Sequence, residues 1–356
     1  MIQSKVTLVF PCWHASKHLS HVLEDLQAQT FKDFEAILVN DGDDTQIETL
    51  ENIATKDRRI RIVRLPQNCG VAAARNAGTD AATSQWVTYP DPDDRLGPDY
   101  VKSLYEAVGG TDVEMACGGY TWFSVKTGQK SGNYIKIDSH TEIMDIASAY
   151  ERMMPAFAQY NAWNKLYNVD VIRKNGLRQD ANFKNGQDYA FNMSFFPFVK
   201  KVGVIKDCGY TYFYYDGDNN CKRYNPNFVR NVCETVGSRE KFHRHIGWSE
   251  QRIKQLREEE FAHSSLKMIR NYFAIDSPLS IGEASSKIKS EILMNPEIVN
   301  SILHKDFGKD RVMWSLQQMV KSDNALMMAL FFKTLVYSKR HFGLFYSRIK
   351  PIFRGE

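Results

Sequence analysis

The sequence predicts an α/β protein with a mostly parallel, mixed sheet flanked by helices, followed by a C-terminal α-helical region. Over roughly the first hundred residues, short apolar runs alternate with segments whose apolar residues recur at helical spacing. Strands separated by helices in this way imply crossover connections and therefore parallel strands. From about Asn227 onward the apolar spacing is helical and strand-like runs are scarce.

Four strands and three helices are predicted before Pro90. The strands are expected at 6–10, 36–39, 60–63 and 85–89. The helices between them are expected to begin near Ser16, Ile47 and Val71. Asp43 or Asp44 is placed to cap the second helix, and Pro11 is expected to end the first strand.

After Pro98 the pattern changes to mixed helix and strand, which we expect to close one side of the sheet. The predicted elements are a helix at 99–108, strand material at 113–125 broken at Gly118-Gly119, an amphipathic helix at 143–154, and strand-like runs at 202–205 and 210–215. A chain of 356 residues suggests two or three structural units. We place one domain over 1–226 and the helical region over 227–356.

The overall composition excludes several protein classes. With 25% charged and 43% hydrophobic residues, the chain is neither collagen-like, nor disordered, nor a disulfide scaffold. No apolar run reaches the roughly 18–20 residues that a membrane-spanning helix needs, and no secretory signal opens the sequence. The six cysteines form no C-x-x-C pair. We therefore expect cytoplasmic residence, with a peripheral position on the inner face of the membrane as an open alternative.

Polar residues follow three of the predicted strands. They are Pro11-Cys-Trp-His14, Asn40 to Asp44, and Asp91 to Asp94. Because ligands of parallel α/β sheets collect at the carboxyl ends of the strands, these segments are the candidate binding residues.

Asp91 and Asp93, separated by one residue at a strand end, suit a divalent cation. Hard Mg²⁺ or Mn²⁺ takes a few carboxylates and fills its other positions with water and substrate phosphates. The alternative is an ordinary turn, since Asp followed by Pro is common in type I turns.

Four other side chains have two interpretations each. Asp41 is suited either to accept a hydrogen bond from a nucleotide base or a ribose hydroxyl, or to cap the following helix. Trp13 suits stacking on a flat base, or a place in the core. Arg75 suits a phosphate or carboxylate ligand, or a structural ion pair. Asp188 precedes a helix-like run, where it suits a general base or merely a carboxylate favoured by the helix dipole.

The order of these segments resembles the inverting family 2 glycosyltransferases, which have the GT-A fold and use nucleotide-diphosphate sugars. The resemblance rests on four ordered segments: Val6-Thr-Leu-Val-Phe-Pro11, Gln29 to Gly42 ending in Val-Asn-Asp-Gly, Asn68-Cys-Gly-Val-Ala-Ala-Ala-Arg-Asn-Ala-Gly78, and Asp91-Pro-Asp-Asp94. It is close over about the first 105 residues and looser to Tyr215, and it does not cover the last third.

The resemblance implies a nucleotide-sugar-binding half over 1–118 and an acceptor-binding half over 119–226. Its implied nucleotide-sugar contacts are Pro11, Trp13, Asp41, Arg75 and Asp91. Trp13 would stack on the base, commonly uracil, and Asp41 would bond the base or ribose. Asp93, with Asp91, would ligate Mn²⁺ or Mg²⁺ bound to the diphosphate.

The resemblance also places a catalytic base after a Trp-Asn-Lys-Leu segment. Here Trp163, Asn164 and Lys165 match that acceptor-side segment, and Asp188 matches the base. Gln187-Asp188 replaces the family's usual Glu-Asp, and Trp13-His14 replaces its Tyr-Asn. Each change keeps the carboxylate or ring that the chemistry needs.

We therefore expect a metal-dependent inverting transferase that moves a hexosyl or N-acetylhexosaminyl group from a nucleotide-diphosphate sugar, commonly a UDP-sugar. The acceptor implied by the resemblance is a glycan or lipid-linked molecule of surface polysaccharide or lipopolysaccharide synthesis. Two alternatives stay open: transfer to a polyprenyl phosphate, and a non-catalytic nucleotide-sugar-binding or scaffold protein.

The segment 321–356 is basic and apolar, with seven cations and two anions, so its charge is 7 − 2 = +5. The rest of the chain balances at 4 − 5 = −1, and it contains no nucleic-acid reader motif, so no nucleic-acid partner is expected. Basic, apolar segments lie on anionic membrane surfaces. The alternatives are a core-packing helix and a homodimer contact.

Overall fold

The computed structural model describes residues 4–109, 112–183, 186–215, 223–308 and 310–341. The chain divides into two compact units, Met1–Asp218 and Asn219–Glu356. The described part of the first unit mixes helices and strands, and that of the second is built from helices.

Within the described residues, the main sheet of the first unit has eight strands. They are β1 (Val6–Cys12), β2 (Phe34–Asp41), β3 (Ile60–Leu65), β4 (Trp86–Thr88), β6 (Met115–Gly118), β9 (Thr141–Asp145), β10 (Lys165–Asn168) and β11 (Lys201–Ile205). Their order is β3-β2-β1-β4-β10-β6-β11-β9. Only β10 and β9 run against the other six, so the predicted mostly parallel, mixed sheet is confirmed.

A second sheet contains four short strands in the part of the unit that the structure describes. They are β5 (Arg95–Leu96), β7 (Tyr120–Ser124), β8 (Lys130–Asn133) and β12 (Tyr210–Tyr214), in the order β5-β12-β7-β8. The predicted break at Gly118-Gly119 separates β6 from β7, so one run of sequence supplies a strand to each sheet.

Seven helices accompany the sheets in the described part of this unit. They are α1 (Leu19–Ala28), α2 (Ile47–Lys56), α3 (Val71–Ala81), α4 (Tyr100–Ala107), α5 (Ile146–Met153), α6 (Val169–Lys174) and α7 (Gln187–Phe195). Asp43 accepts the Thr45 N–H and caps the 3₁₀ turn Asp44–Gln46 that leads into α2, as one of the two predicted caps.

Two predicted boundaries are wrong. The helix expected at 143–154 begins only after Asp145, which caps it by accepting the Ser148 N–H, because the preceding residues pair with β11 as strand β9. The first strand continues through Pro11 to Cys12. β4 has ended opposite Leu8, so the N–H missing from Pro11 leaves no partner in β4 unsatisfied.

Helix α3 lies very close to strand β1, and this contact positions Arg75. A Cβ atom added at Gly78 would lie 2.2 Å from the Val9 Cγ1 atom, so glycine is required for the helix to approach this closely. Ala72 and Ala74 are also buried. The small side chains bring the backbone of α3 onto the sheet, and Arg75 is carried into the interior with it.

The second unit packs a separate hydrophobic core among six described helices. They are α8 (Phe228–His245), α9 (Glu250–Asn271), α10 (Ile281–Lys287), α11 (Pro296–His304), α12 (Arg311–Lys321) and α13 (Ala325–His341). Ser249, Asn295 and Asp310 cap three of them, so the predicted helical region is confirmed. Among the residues that the structure describes, no helix has both the length and the hydropathy to cross a membrane.

The close packing of α3 predicts that Gly78→Ala destabilises the first unit. Its methyl group would overlap Val9, and overpacking of this kind costs about 1–3 kcal/mol. Gly237→Ala on α8 is the control, since its Cβ meets nothing within 4 Å and should stabilise the second unit by about 0.5–1 kcal/mol. Urea unfolding followed by circular dichroism measures both. An unchanged midpoint for Gly78→Ala would contradict the close approach.

Candidate active site at the carboxyl edge of the main sheet

The predicted polar segments lie along one edge of the main sheet. Strands β2, β1 and β4 are adjacent and parallel, so their carboxyl ends share an edge. Cys12 pairs in register with Asn40, so the next residue of each segment, Trp13 and Asp41, follows at the same edge of the sheet. Asp91 follows the end of β4.

Arg75 joins three separate elements through two carboxylates. Its guanidinium is only 2% exposed, and Nη2 lies 2.7 Å from Asp91 Oδ1. Nη1 donates to Oδ1 of Asp188, in the first turn of α7. The other Asp188 oxygen accepts the Ala162 N–H at 3.1 Å. The bridge therefore holds Asp188 beside the carboxylates that follow β4.

Burial and charge act in opposite directions on this bridge. Burial raises the pKa of Asp91 to about 6, although the Arg75 guanidinium favours the charged form, and Asp93 and Asp188 add repulsion. Burial alone would lower the pKa of Arg75, but the charges of Asp188 and Asp91 more than reverse this and raise it. Arg75 therefore stays charged, and both carboxylates depend on it.

The two carboxylates after Pro92 have different environments. Asp94 is buried and accepts the Tyr210 hydroxyl at 2.6 Å and the Phe213 N–H at 2.7 Å. Burial raises the pKa of Asp94 well above its ordinary value, and Asp93 and Asp91 add to the effect. Asp93 makes no hydrogen bond or salt bridge to any residue that the structure describes. Asp94 thus anchors the loop to β12 and leaves Asp93 available to a ligand.

The residues after β1 are fastened to those after β2. His14 has a left-handed φ of 50°, and its backbone N–H and its Nδ1 atom each lie 3.1 Å from Asp43 Oδ2. The hydrogen bond from the Thr45 hydroxyl, with further donors, lowers the pKa of the buried Asp43. Trp13 is 45% exposed at this point, and its ring centroid lies 4.3 Å from that of His14. An aromatic face is therefore presented at the sheet edge.

Asp41 is buried and holds the start of α3. Its two carboxylate oxygens accept the N–H groups of Cys69 at 2.7 Å and Gly70 at 2.9 Å. It does not cap the 3₁₀ turn before α2, because Asp43 does so. Its predicted contact with the base or ribose stays a prediction, and Pro11, which is half-buried at the end of β1, stays a predicted nucleotide contact as well.

The predicted acceptor-side residues are buried and hydrogen-bonded within the unit. Trp163 stacks on Tyr210 with ring centroids 4.2 Å apart and planes 7° from parallel. The Asn164 amide donates to Gly118 O at 2.7 Å, and Lys165 Nζ donates to the Ala158 and Asn161 carbonyls. These contacts hold the 158–162 loop, which supplies the N–H that Asp188 accepts. Acceptor contact by the three side chains stays a prediction.

Two histidines at this edge were not predicted from the sequence. His21 Nε2 lies 3.3 Å from the Pro92 carbonyl oxygen, and the His18 ring lies 5.4 Å from that of His21. Burial lowers the pKa of His18, an effect that Asp93 opposes. Their separation of three residues at the start of the helix after β1 is the signal that could have identified them.

The described residues form no ready-made metal centre. Within the described ranges, no group of three or more His, Cys, Asp and Glu side chains is arranged to hold a metal ion. The oxygen donors of Asp93 and Asp91 nevertheless suit hard Mg²⁺ or Mn²⁺, which takes its remaining ligands from water and phosphate. Asp91 already shares one oxygen with Arg75, so Asp93 is the less committed donor.

The Arg75 bridge predicts a pH-dependent loss of stability for Arg75→Met. Removing the buried cation leaves two uncompensated carboxylates and should cost toward the lower end of about 3–5 kcal/mol, since both carboxylates are partly exposed. The folded-state pKa of Asp91 already lies above its ordinary 3.8, so its ionisation costs stability as the pH rises. The loss should therefore be smaller at about pH 5 than at about pH 8.

Urea unfolding of both proteins at the two pH values measures this effect. The control is Arg178→Met, which breaks the exposed pair with Asp80 and should cost at most about 1 kcal/mol at either pH. Equal losses for the two variants would contradict the central role of Arg75.

Comparison with known proteins agrees with this architecture. The model of glycosyl transferase family 2 matches residues 7–183, about half of the chain. Glycosyltransferase GlyA of Streptococcus pneumoniae is 28% identical over 218 residues, 60% of this chain but only 31% of that protein. The uncharacterized glycosyltransferase EpsJ of Bacillus subtilis is 24% identical over 317 residues, 86% of this chain and 89% of that protein.

Solved structures share the fold along nearly the whole chain. The structure of S. aureus TarS 1-349 in complex with UDP superposes with a TM-score of 0.65 at 13% identity, covering 94% of this chain and 91% of that chain. The complex of the same protein with UDP-GlcNAc gives the same TM-score at 14% identity. The predicted GT-A-like architecture with its helical C-terminal region is confirmed, and the chain belongs to glycosyl transferase family 2.

Proposed function

We propose that this chain is an inverting, metal-dependent glycosyltransferase that moves a sugar from a UDP-sugar to a hydroxyl group of a glycan or lipid-linked acceptor. The observation that carries the proposal is the Arg75 bridge between Asp91 and Asp188. It brings a carboxylate from the 119–226 segment to the sheet edge where donor-binding residues are expected. In-line transfer requires the base and the donor to be held close together and aligned, and the Arg75 bridge supports such an arrangement.

The donor is proposed to bind with its base against the exposed Trp13 ring, where stacking on an aromatic face is favourable. The TarS complexes with UDP and UDP-GlcNAc support a UDP-sugar as the donor class. Asp43 and His14 hold the Trp13 loop in place, and Asp41 holds the loop before α3. These contacts fix both loops in advance and leave the Trp13 ring exposed for the donor base.

A divalent cation, Mn²⁺ or Mg²⁺, would be held by Asp93 with Asp91 and would neutralise charge on the departing diphosphate. Asp93 is suited to this because its carboxylate is not used within the described part of the protein. Asp94 is not proposed as a ligand, since Tyr210 and Phe213 occupy its oxygens.

Asp188 is proposed as the general base of the transfer. It accepts the proton of the acceptor hydroxyl while that oxygen forms a bond to the anomeric carbon. The bond between the anomeric carbon and the diphosphate oxygen breaks with its electron pair leaving on the diphosphate, so the configuration inverts. Arg75 and the Ala162 N–H each occupy one Asp188 oxygen, which orients the carboxylate and leaves further lone pairs for the proton.

The role of Asp188 predicts that Asp188→Asn transfers sugar about 10²–10⁴-fold more slowly, because the amide cannot accept the proton. Binding of UDP should change little, since the two side chains have the same shape. Turnover with UDP-sugars and Mn²⁺, and UDP affinity by calorimetry, measure the two effects. Asp180→Asn is the control, because Asp180 is exposed and, among the residues that the structure describes, its carboxylate hydrogen-bonds with Asn182 alone. Undiminished turnover by Asp188→Asn would exclude Asp188 as the base.

The donor and metal assignments predict a thermal-shift pattern across a panel of nucleotide sugars with and without Mn²⁺. A donor at 100 times its dissociation constant should add about 2.7 kcal/mol of stability. Asp93→Asn should lose the Mn²⁺-dependent part, and Trp13→Ala should lose affinity for UDP and uridine alike. No shift with any nucleotide sugar would refute the donor site. Donor binding without transfer to any acceptor would favour the non-catalytic alternative, and transfer to polyprenyl phosphate would identify that acceptor.

A further inference from the structure

Helix α13 is apolar on two opposite sides. One side, with Met328, Ala329 and Phe332, is fully buried in the core of the second unit. The other side exposes four large apolar side chains: Leu326 at 51%, Met327 at 42%, Leu330 at 52% and Tyr337 at 57%. We call these four residues the outer face of α13.

The outer face is a stripe along one side of the helix, interrupted between Leu330 and Tyr337 by the exposed Lys333 and Thr334. At 100° per residue, positions 326, 330 and 337 fall within about 40° of one another, and Met327 flanks them. A helix packed on a core normally has its apolar residues on the side that faces the core and polar residues on the opposite side, so large apolar side chains exposed on the opposite side of α13 are unusual. A surface of this kind marks a site of interaction, because scattered single apolar residues would not align. The outer face therefore calls for an occupant.

The charge of the surrounding sequence identifies the kind of occupant. Residues 324–355 contain no Asp or Glu. They contain six cations: Lys333, Lys339, Arg340, Arg348, Lys350 and Arg354. Lys333 is exposed and lies at the edge of the outer face, whereas residues 342–356 lie outside the described residues and enter by sequence alone. The stripe thus belongs to a stretch that is uniformly positive.

Uniform positive charge disfavours two occupants. A second copy of the chain would bring the same six cations to the contact, and like charges close together repel. The segment 342–356, folding back, would bring three of those six cations, with one anion, against the three that precede it. An anionic bilayer, in contrast, offers an apolar interior for the leucines, an interface suited to tyrosine, and negative headgroups for the lysines and arginines.

We propose that the outer face of α13 docks on the surface of an anionic membrane. Leu326, Met327 and Leu330 enter the boundary between headgroups and acyl chains, and the Tyr337 ring lies at headgroup level. Lys333 lies beside the phosphates with its stem along the apolar surface. The buried side of α13 keeps the helix attached to the second unit, so the whole unit is held at the bilayer. This inference does not depend on the transfer reaction.

Flotation of the full chain with vesicles tests the proposal. Vesicles of phosphatidylcholine with about 30% phosphatidylglycerol, enough to mimic an anionic leaflet, are compared with pure phosphatidylcholine. We expect binding to the anionic vesicles alone, weakened by salt. Leu326→Gln/Leu330→Gln should lower the binding at least about tenfold, since two buried leucines are removed from the apolar contact. Lys333→Gln should lower it about fivefold.

The matched control is Ile143→Gln/Ile275→Gln, which replaces two apolar side chains of similar exposure outside α13. It should bind vesicles as the unchanged protein does, and circular dichroism should show that all variants fold. Absence of binding to anionic vesicles at low salt would overturn the proposal, as would equal binding by the leucine and control variants. Self-association in sedimentation velocity that Leu326→Gln/Leu330→Gln abolishes would instead identify a second copy as the occupant.

Discussion

The buried guanidinium of Arg75 is the constraint on which the candidate site depends. A charge in the interior must be compensated, and here Asp91 and Asp188, which lie 16 and 113 residues away along the chain, provide the compensation. Since α3 carries Arg75 inward only because Gly78 admits β1 so closely, the packing of one helix on one strand sets the position of both carboxylates. Packing and electrostatics therefore cannot be separated at this edge.

The same edge shows how tertiary partners decide which carboxylates remain available. Asp41 is committed to two backbone N–H groups, Asp94 to Tyr210 and Phe213, and Asp91 to Arg75. Each of these bonds joins one segment at the sheet edge to another element, and together they leave Asp93 as the carboxylate of the 91–94 segment without a described partner. A rigid frame of satisfied carboxylates around one unsatisfied carboxylate is a favourable arrangement for binding a cation, because the frame need not reorganise.

Apolar runs predicted six of the eight strands of the main sheet, because buried parallel strands leave strong patterns, as at 36–39, and alanine content predicted the helix at 71–82. The antiparallel strand β10 was not predicted. Residues 143–145 were predicted as helix, because an alternation of three residues does not distinguish an edge strand from a first helical turn. Roles were harder to predict than elements. The burial of Trp163 against Tyr210 and the bonds of Asp41 join residues far apart in sequence, so no local pattern contains them.

The position of the charges along the chain matters more than the net charge of the protein. The six cations between 324 and 355 exceed the net charge of +4, so the remaining residues balance at 4 − 6 = −2. A weakly acidic body has no general attraction for a polyanion, and attraction falls off within about 8–10 Å at ordinary salt. An anionic surface would therefore act on α13 and the sequence after it, and the apolar stripe of Leu326, Leu330 and Tyr337 would fix which side of that helix is turned toward the surface.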